Sequence, residues 1–140
     1  VKIKGIADRI DQLSDGTVRV IDYKTGSFDK TTVVKTEAAL EASKADNAFQ
    51  LLLYGLMYRA ENPAQTEIQP TVFFLRAREI EKPVEVVLDK QEFSSEEQIE
   101  FTKIKLNELL ADMFDEQISF GQTEKSDSCQ YCDFKNVCQR

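Results

Sequence analysis

The stretch of sequence that decides the fold is GIADRIDQLSDGTVRVIDYKTG, residues 5–26. Apolar and polar residues alternate on both sides of a turn at 14–16, which is typical of a β-hairpin, so we predict strands over 2–13 and 17–25. Acidic residues and a lysine fall among the apolar positions of both strands. Since successive side chains point to opposite faces, the face that each charge occupies depends on how the two strands are paired.

The pairing depends on the length of the hairpin loop. A two-residue turn would place Asp8 and Asp22 on opposite faces of the hairpin. A three-residue loop, with Gly16 in the left-handed conformation as a bulge, places Asp8 directly opposite Asp22 instead. It also sets Asp11 against Arg19, a favourable pair of opposite charges that the first register lacks. We therefore predict the three-residue loop.

In this register, two carboxylates and an ammonium group share one face of the hairpin, those of Asp8, Asp22 and Lys24. The same face carries the apolar side chains of Ile6, Ile10, Val18 and Val20. Two carboxylates on an apolar face repel each other and lose hydration, and a hard cation such as Mg²⁺ or Mn²⁺ relieves both effects. A neighbouring lysine can stabilise developing negative charge, which suits metal-assisted hydrolysis of a phosphodiester. From the residues alone, a solvated and self-neutralising ion cluster is an equally open interpretation.

The rest of the chain predicts further helices and strands. Hydrophobic periodicity and turn residues indicate an amphipathic helix over 46–61, strands over 71–77 and 84–88 separated by a turn containing Pro83, and a long helix ending near residue 117. The first helix should bury an apolar stripe of Phe49, Leu52, Leu53, Leu56 and Ala60.

Two shorter signals lie next to these helices. Ser94 and Glu97 have the spacing of a capping box, which predicts that the long helix begins there. Residues 26–45 are polar, and we predict irregular structure there with a short helix in EAALEASK, residues 37–44.

The composition limits the classes of function. The 140 residues are 41% hydrophobic and 31% charged, as in an ordinary globular domain, and no apolar run approaches the length of a membrane span. A formal net charge of −7 is unfavourable for binding nucleic acid through the overall surface, so such a role would depend on metal ions, a local basic patch or a partner. An odd number of cysteines, three within the last twelve residues, is not typical of a secreted disulfide framework.

The hairpin resembles the PD-(D/E)XK nuclease superfamily, and most closely the nuclease domains of AddB- and RecB-type helicase–nuclease subunits. The resemblance rests on GIADRID followed by DYKTG. It implies that Asp8 and Asp22 are metal ligands, with the main-chain carbonyl of Tyr23 as a further ligand. It also implies that Lys24 is catalytic.

The same superfamily carries a Q-x-x-x-Y motif on the helix that follows. Gln50 and Tyr54 match this motif in AFQLLLYGLMY, and their spacing of four places them on one helical face. Without the hairpin upstream, the pair would be interpreted as a polar edge beside the apolar stripe. With the hairpin, the resemblance implies that Gln50 and Tyr54 belong to the catalytic site.

The resemblance further implies a fold, an activity and partners. The fold would be an α/β restriction-endonuclease-like core with a mixed central β-sheet flanked by helices. The activity would be that of a metal-dependent DNA exonuclease module of a helicase–nuclease, hydrolysing phosphodiester bonds in double-strand-break repair and recombination. The cofactor would be Mg²⁺ or Mn²⁺, the partners DNA and a helicase subunit or domain, and the location the bacterial cytoplasm, away from membranes.

Two other functions stay open beside this one. The first is a CRISPR-associated Fe–S exonuclease, which belongs to the same superfamily. The second is a non-catalytic DNA-end-binding or scaffold domain with a nuclease fold. A decayed site would be expected to have lost at least one of Asp8, Asp22 and Lys24, and all three are present.

The end of the sequence carries a cluster of cysteines, Cys129, Cys132 and Cys138, with the spacing C-x2-C-x5-C. Clustered thiolates suit a soft metal or an iron–sulfur cluster, which usually takes four cysteines, and three unrelated thiols are the alternative. The resemblance implies a [4Fe–4S] cluster whose fourth cysteine lies upstream of this chain. We expect the chain to be a piece of a longer protein, with a nuclease core over 1–121 that lacks the family's N-terminal helix and first strand, and a cysteine tail over 122–140.

Overall fold

The computed structural model describes residues 1–26, 34–35, 46–76, 84–85, 87–88, 94–119, 121–122, 129–130 and 132–139. The chain forms two compact units, Val1–Asn107 and Glu108–Arg140. The predicted division into 1–121 and 122–140 stays a prediction. The predicted short helix over 37–44 and the turn at Pro83 lie outside the described residues.

The first unit is built on a mixed β-sheet. In chain order, the described strands are β1 (Arg9–Gln12), β2 (Val18–Lys24), β3 (Val34–Lys35), β4 (Ile68–Phe74), β5 (Val84–Glu85) and β6 (Val87–Leu88), and the helices are α1 (Asp46–Glu61) and α2 (Ser95–Phe114). Four strands form one sheet in the order β1-β2-β4-β5, and β3 pairs with β6 in parallel. Because β2 is antiparallel to β1 and parallel to β4, the predicted α/β fold with a mixed central sheet is confirmed.

The hairpin has the predicted register. Asp11 lies opposite Arg19, and the Leu13 N–H donates to the Thr17 carbonyl at 2.8 Å across the loop. Gly16 has a φ of 90°, in the left-handed region that a side chain rarely adopts. The three-residue loop is therefore confirmed, and with it the pairing of the two strands.

The first strand is shorter than predicted, because β1 begins at Arg9 instead of residue 2. The backbone of Asp8 is bent, and its N–H donates to the Ile21 carbonyl at 3.1 Å. The Tyr23 N–H, which a regular ladder would pair with backbone, donates to the Asp8 carboxylate at 2.8 Å. Since a side chain takes the place of a backbone acceptor there, the ladder ends and residues 1–7 leave the sheet.

The bounds of α1 agree with the prediction, but its predicted apolar stripe is wrong. The residues that are buried on α1 are Ala48, Leu51, Leu52 and Gly55, so Leu52 alone is shared with the prediction. A Cβ built on Gly55 would lie 3.4 Å from Pro70 Cγ, which shows how closely α1 approaches β4. Large apolar residues defined the predicted stripe, whereas the small residues Ala48 and Gly55 mark the line of closest packing.

The strand predicted over 71–77 starts and ends earlier than expected. β4 begins at Ile68, passes through Pro70 and ends at Phe74. Proline is disfavoured inside strands, so the pattern did not extend across Pro70. Parallel pairing with the seven residues of β2 decides the actual length, because each residue of β4 lies opposite one of β2.

The strand predicted over 84–88 is divided between two sheets. Val84–Glu85 pairs antiparallel with β4, whereas Val87–Leu88 pairs in parallel with β3. A continuous apolar run gives no signal for such a change of partner, since both halves have the same β propensity.

The core of the first unit lies where α1 covers β2 and β4. Val18, Val20 and Ile68 form its centre, each no more than 3% exposed, and Tyr54 and Tyr58 of α1 pack against them. No described helix is both long enough and apolar enough to cross a membrane.

The N-terminus of α2 has the predicted capping box. The Glu97 carboxylate accepts hydrogen bonds from the Ser94 N–H at 2.8 Å and from its hydroxyl at 2.9 Å, and Ser94 Oγ accepts one from the Glu97 N–H. The helix ends at Phe114, three residues before the predicted end, because the Asp115 side chain accepts a hydrogen bond from the Gln117 N–H and starts a turn.

The capping box predicts a pH-dependent stability. The hydrogen bonds from Ser94 favour the ionised carboxylate and lower the pKa of Glu97, so its contribution is present above the unfolded-state pKa and is lost as pH falls through the folded-state pKa. We expect Glu97→Gln to be less stable than the unmodified protein at pH 7 and equally stable well below that pKa, as measured by urea unfolding. A difference that is constant with pH would contradict the role of the ionised group.

Candidate active site

The centre of the candidate site is the carboxylate of Asp22. It lies on β2 between the core and the edge of α1, and the residue is only 6% exposed. Lys24 Nζ lies 2.9 Å from Asp22 Oδ2, which is an ion-pair distance. The approach lacks hydrogen-bond geometry, so among the described residues this buried oxygen has no hydrogen-bond donor. The charge of Lys24 compensates the buried carboxylate, while the hydrogen-bonding capacity of this oxygen stays unused.

The second carboxylate, that of Asp8, is exposed and lies at the bend before β1. Its Oδ2 accepts the hydrogen bond from the Tyr23 N–H, which fixes the carboxylate beside the backbone that follows Asp22. The structure therefore brings together one buried and one exposed carboxylate with the backbone of Tyr23. A metal ion at this point would be reached from solvent on the Asp8 side.

The apolar surroundings predicted for these carboxylates are present only in part. Val18 and Val20 are buried, as the register requires. Ile10 lies opposite Val20 on the predicted face but is 49% exposed, and Ile6, which precedes β1, is 85% exposed. Residues 1–7 leave the sheet, and the Asp8 side of the site is consequently open.

Lys24, Gln50 and Tyr54 form a chain of side-chain contacts. Lys24 Nζ donates to Gln50 Oε1 at 3.0 Å, and Gln50 Nε2 donates to Tyr54 Oη at 2.7 Å. The second hydrogen bond fixes the orientation of the Gln50 amide, so that its oxygen faces the ammonium group. The structure therefore connects the residues of both sequence motifs, which lie 26 positions apart in the chain, through one ammonium group.

Gly5 supports the same chain from the opposite side of Tyr54. A Cβ built on Gly5 would lie 2.6 Å from Tyr54 Cε1 and 2.6 Å from Met57 Cε, so the backbone rests directly on these two side chains. The sequence reasoning assigned no role to Gly5 or Met57. The glycine three residues before Asp8 was the available signal, since close approach of a backbone is a common reason for glycine.

The charges on the other face of the hairpin pair differently from the prediction. Asp11 lies opposite Arg19, but its carboxylate accepts from Arg9 Nε at 2.7 Å, and Arg19 Nε donates to Gln69 Oε1 at 3.2 Å. A long arginine side chain can reach a neighbour on its own strand, as Arg9 does, or on the next strand, as Arg19 does. Asp11 and Arg19 therefore do not form an ion pair although they lie opposite each other. The hydrogen bonds of the Arg9 guanidinium to Asp11 and to the hydroxyl of Tyr23 raise the pKa of Arg9.

The donor groups present fit a hard divalent cation. No group of three or more His, Cys, Asp or Glu side chains that could hold a metal lies within the described parts of the chain. Mg²⁺ usually takes one or two carboxylates and completes its octahedron with waters and substrate oxygens, so Asp8 and Asp22 are a sufficient side-chain set. The buried Asp22 Oδ2 without a donor is the atom that such a cation would neutralise.

The three cysteines lie in the second unit and are free and partly buried. The backbone around them makes successive turns, in which the Cys132 N–H donates to the Cys129 carbonyl at 3.2 Å and the Cys138 N–H donates to the Phe134 carbonyl at 3.2 Å. These thiols do not form a metal-holding group in this structure.

Comparison with protein families gives one match. The model of the PD-(D/E)XK nuclease superfamily matches residues 1–139. No curated protein and no solved structure shows significant similarity to the chain.

The donor set predicts that metal binding stabilises the fold. We expect millimolar Mn²⁺ to raise the melting temperature of the protein by several degrees, because a ligand that binds only the folded state stabilises it. Asp22→Asn should abolish this increase. Asp11→Asn removes the same charge from the opposite face and should keep it. An equal response of both variants in thermal melts would show that Mn²⁺ binds elsewhere.

Proposed function

Since the chain belongs to the PD-(D/E)XK nuclease superfamily and its fold is the restriction-endonuclease-like α/β core, we propose that it is a Mg²⁺-dependent deoxyribonuclease that hydrolyses phosphodiester bonds. The observation that carries this proposal is the contact of Lys24 with the buried Asp22 carboxylate, next to the Tyr23 N–H that binds the Asp8 carboxylate. Superfamily membership indicates a metal-dependent nuclease, and the specificity for DNA is part of the proposal.

In this proposal, Asp8, Asp22 and the main-chain carbonyl of Tyr23 hold the cation. When bound, the cation would lower the pKa of a water molecule and neutralise charge on the phosphate. The Tyr23 N–H orients the Asp8 carboxylate through the 2.8 Å hydrogen bond, so this ligand keeps its position without reorganisation. Burial of Asp22 excludes bulk water on the side of the core.

Lys24 is the group proposed to act on the reacting phosphate. Its side chain is 25% exposed, so the ammonium group is accessible to a substrate although its stem is packed. A fixed positive charge beside a phosphodiester stabilises the negative charge that develops in the transition state. Gln50 and Tyr54 are proposed as positioning residues, because they hold the ammonium group through the Lys24–Gln50–Tyr54 contacts.

We further propose that the module acts as an exonuclease of a bacterial helicase–nuclease in double-strand-break repair and recombination. The support is the residues of the two motifs, GIADRID and DYKTG, together with the net charge of −7. A chain with this charge attracts nucleic acid weakly over its surface, and a helicase that delivers the strand removes the need for such attraction. Such a protein would work in the cytoplasm with DNA and its helicase as partners.

The cysteines are proposed as three ligands of a [4Fe–4S] cluster. The support is their spacing, which places all three within ten residues of sequence, and the successive turns that the backbone makes in this stretch. Iron–sulfur clusters of this type take four thiolates, and the chain has three cysteines and no histidine. The fourth ligand would have to come from outside these 140 residues.

The catalytic proposal predicts the effect of Lys24→Ala. Loss of one preorganised charge commonly lowers the rate on the order of a hundredfold or more, so cleavage of labelled DNA oligonucleotides in Mg²⁺ should fall by this amount. Asp22→Ala should lose cleavage together with Mn²⁺ binding. The matched control is Lys103→Ala, which removes an exposed lysine of α2 and should cleave normally. Cleavage at the normal rate by Lys24→Ala would remove Lys24 from the mechanism, whereas no cleavage by the unmodified protein would favour the non-catalytic DNA-end-binding function.

The cluster proposal predicts the outcome of anaerobic reconstitution. The 140-residue chain should take up iron and sulfide without forming a stable four-iron cluster, because three thiolates leave one iron without its protein ligand. Absorption spectra and iron analysis measure this directly. A stable [4Fe–4S] cluster on the chain alone would contradict the need for a fourth ligand.

A further inference from the structure

Lys24 Nζ lies between two oxygen atoms of different character. It is 2.9 Å from the carboxylate Oδ2 of Asp22 and 3.0 Å from the amide Oε1 of Gln50. The contact with Gln50 is a hydrogen bond, and the contact with Asp22 is an ion pair without hydrogen-bond geometry. The ammonium group is therefore held by the neutral amide while its charge compensates the buried carboxylate.

Asp22 Oδ2 is also the atom that a divalent cation would use. An ammonium group and a metal ion against the same oxygen repel each other, so each lowers the affinity of this oxygen for the other. We propose that Lys24 competes with the divalent cation for Asp22: it neutralises the carboxylate when no metal is bound, and Gln50 retains it when a cation takes its place. This inference rests on the proposed function in taking Asp22 as a metal ligand.

The burial of Asp22 explains why Lys24 is needed next to it in the metal-free protein. A carboxylate that is 6% exposed and has no partner would strongly destabilise the fold, so the metal-free protein requires a positive group at this place. Lys24 supplies it from the same strand, two residues away and on the same face. Part of the free energy of metal binding is then used to separate Lys24 from Asp22.

Gln50 decides how readily Lys24 is separated. Gln50 Oε1 already accepts a hydrogen bond from Lys24 Nζ, so it can hold the ammonium group when the contact with Asp22 is lost. Gln50 Nε2 donates to Tyr54 Oη, and this hydrogen bond prevents the amide from rotating. Gln50 and Tyr54 thus act on metal affinity through Lys24, without contacting the metal. A consequence for the reaction is that a bound cation would release the ammonium group from its ion pair with Asp22 and leave its charge free to act on a phosphate oxygen.

The test is the dissociation constant of Mn²⁺, measured by titration calorimetry without DNA. Lys24→Met keeps the length of the side chain and removes the competitor, so Mn²⁺ should bind on the order of tenfold more tightly, within the usual range of coupling between neighbouring groups. Gln50→Leu removes the alternative acceptor, and Mn²⁺ should bind about threefold more weakly. In the double variant, Gln50→Leu should have no further effect, because it acts only through Lys24.

The matched control is Lys103→Met, which lowers the net charge by the same amount at an exposed position on α2. An increase in affinity for Lys24→Met no larger than for this control would overturn the proposal. An effect of Gln50→Leu that persists in the Lys24→Met background would equally overturn it. If Lys24→Met does not fold, Lys24→Gln provides the same comparison. Absence of Mn²⁺ binding in the unmodified protein would reject the proposed metal site itself, which separates that failure from this one.

Discussion

The interaction on which the rest of the site depends is the burial of the Asp22 carboxylate beside the ammonium group of Lys24. A carboxylate on a central strand is ordinarily replaced by an apolar residue, because removing it from water is costly. Here it lies in line with Val18 and Val20 on the face that α1 covers. The charged pair of Asp22 and Lys24 therefore lies at the margin of the core. Burying such a pair costs some stability, and it leaves two ionisable groups available for chemistry.

The fold holds this pair in place through two close approaches of the backbone. Small residues on α1 let the helix lie against β4, with Gly55 next to Pro70, and this brings the Gln50 edge of the helix over Lys24. On the other side, Gly5 rests on the ring of Tyr54. A Cβ on Gly5 would clash with the ring of Tyr54, whereas one on Gly55 would make ordinary van der Waals contact, so only the approach at Gly5 requires glycine.

The net charge of −7 is compatible with a site that acts on a phosphodiester. An acidic surface attracts nucleic acid weakly. In the proposed function, the positive charge beside the phosphodiester comes from Lys24 and from the cation that Asp8 and Asp22 would hold.

The sequence by itself determined the hairpin register, the bounds of α1, the capping box and the residue types of the site. Each of these depends on neighbours in the chain: a glycine that tolerates the left-handed conformation, a helical period, or a reciprocal pair three residues apart. Only the tertiary structure decided that Ala48 and Gly55 form the buried line of α1 and that the run at 84–88 is shared between two sheets. It alone decided that Asp11 pairs with Arg9 and that Lys24 bridges Asp22 and Gln50. These outcomes depend on which surfaces pack against each other across the fold and at what distance. The local pattern of apolar and charged residues does not determine either.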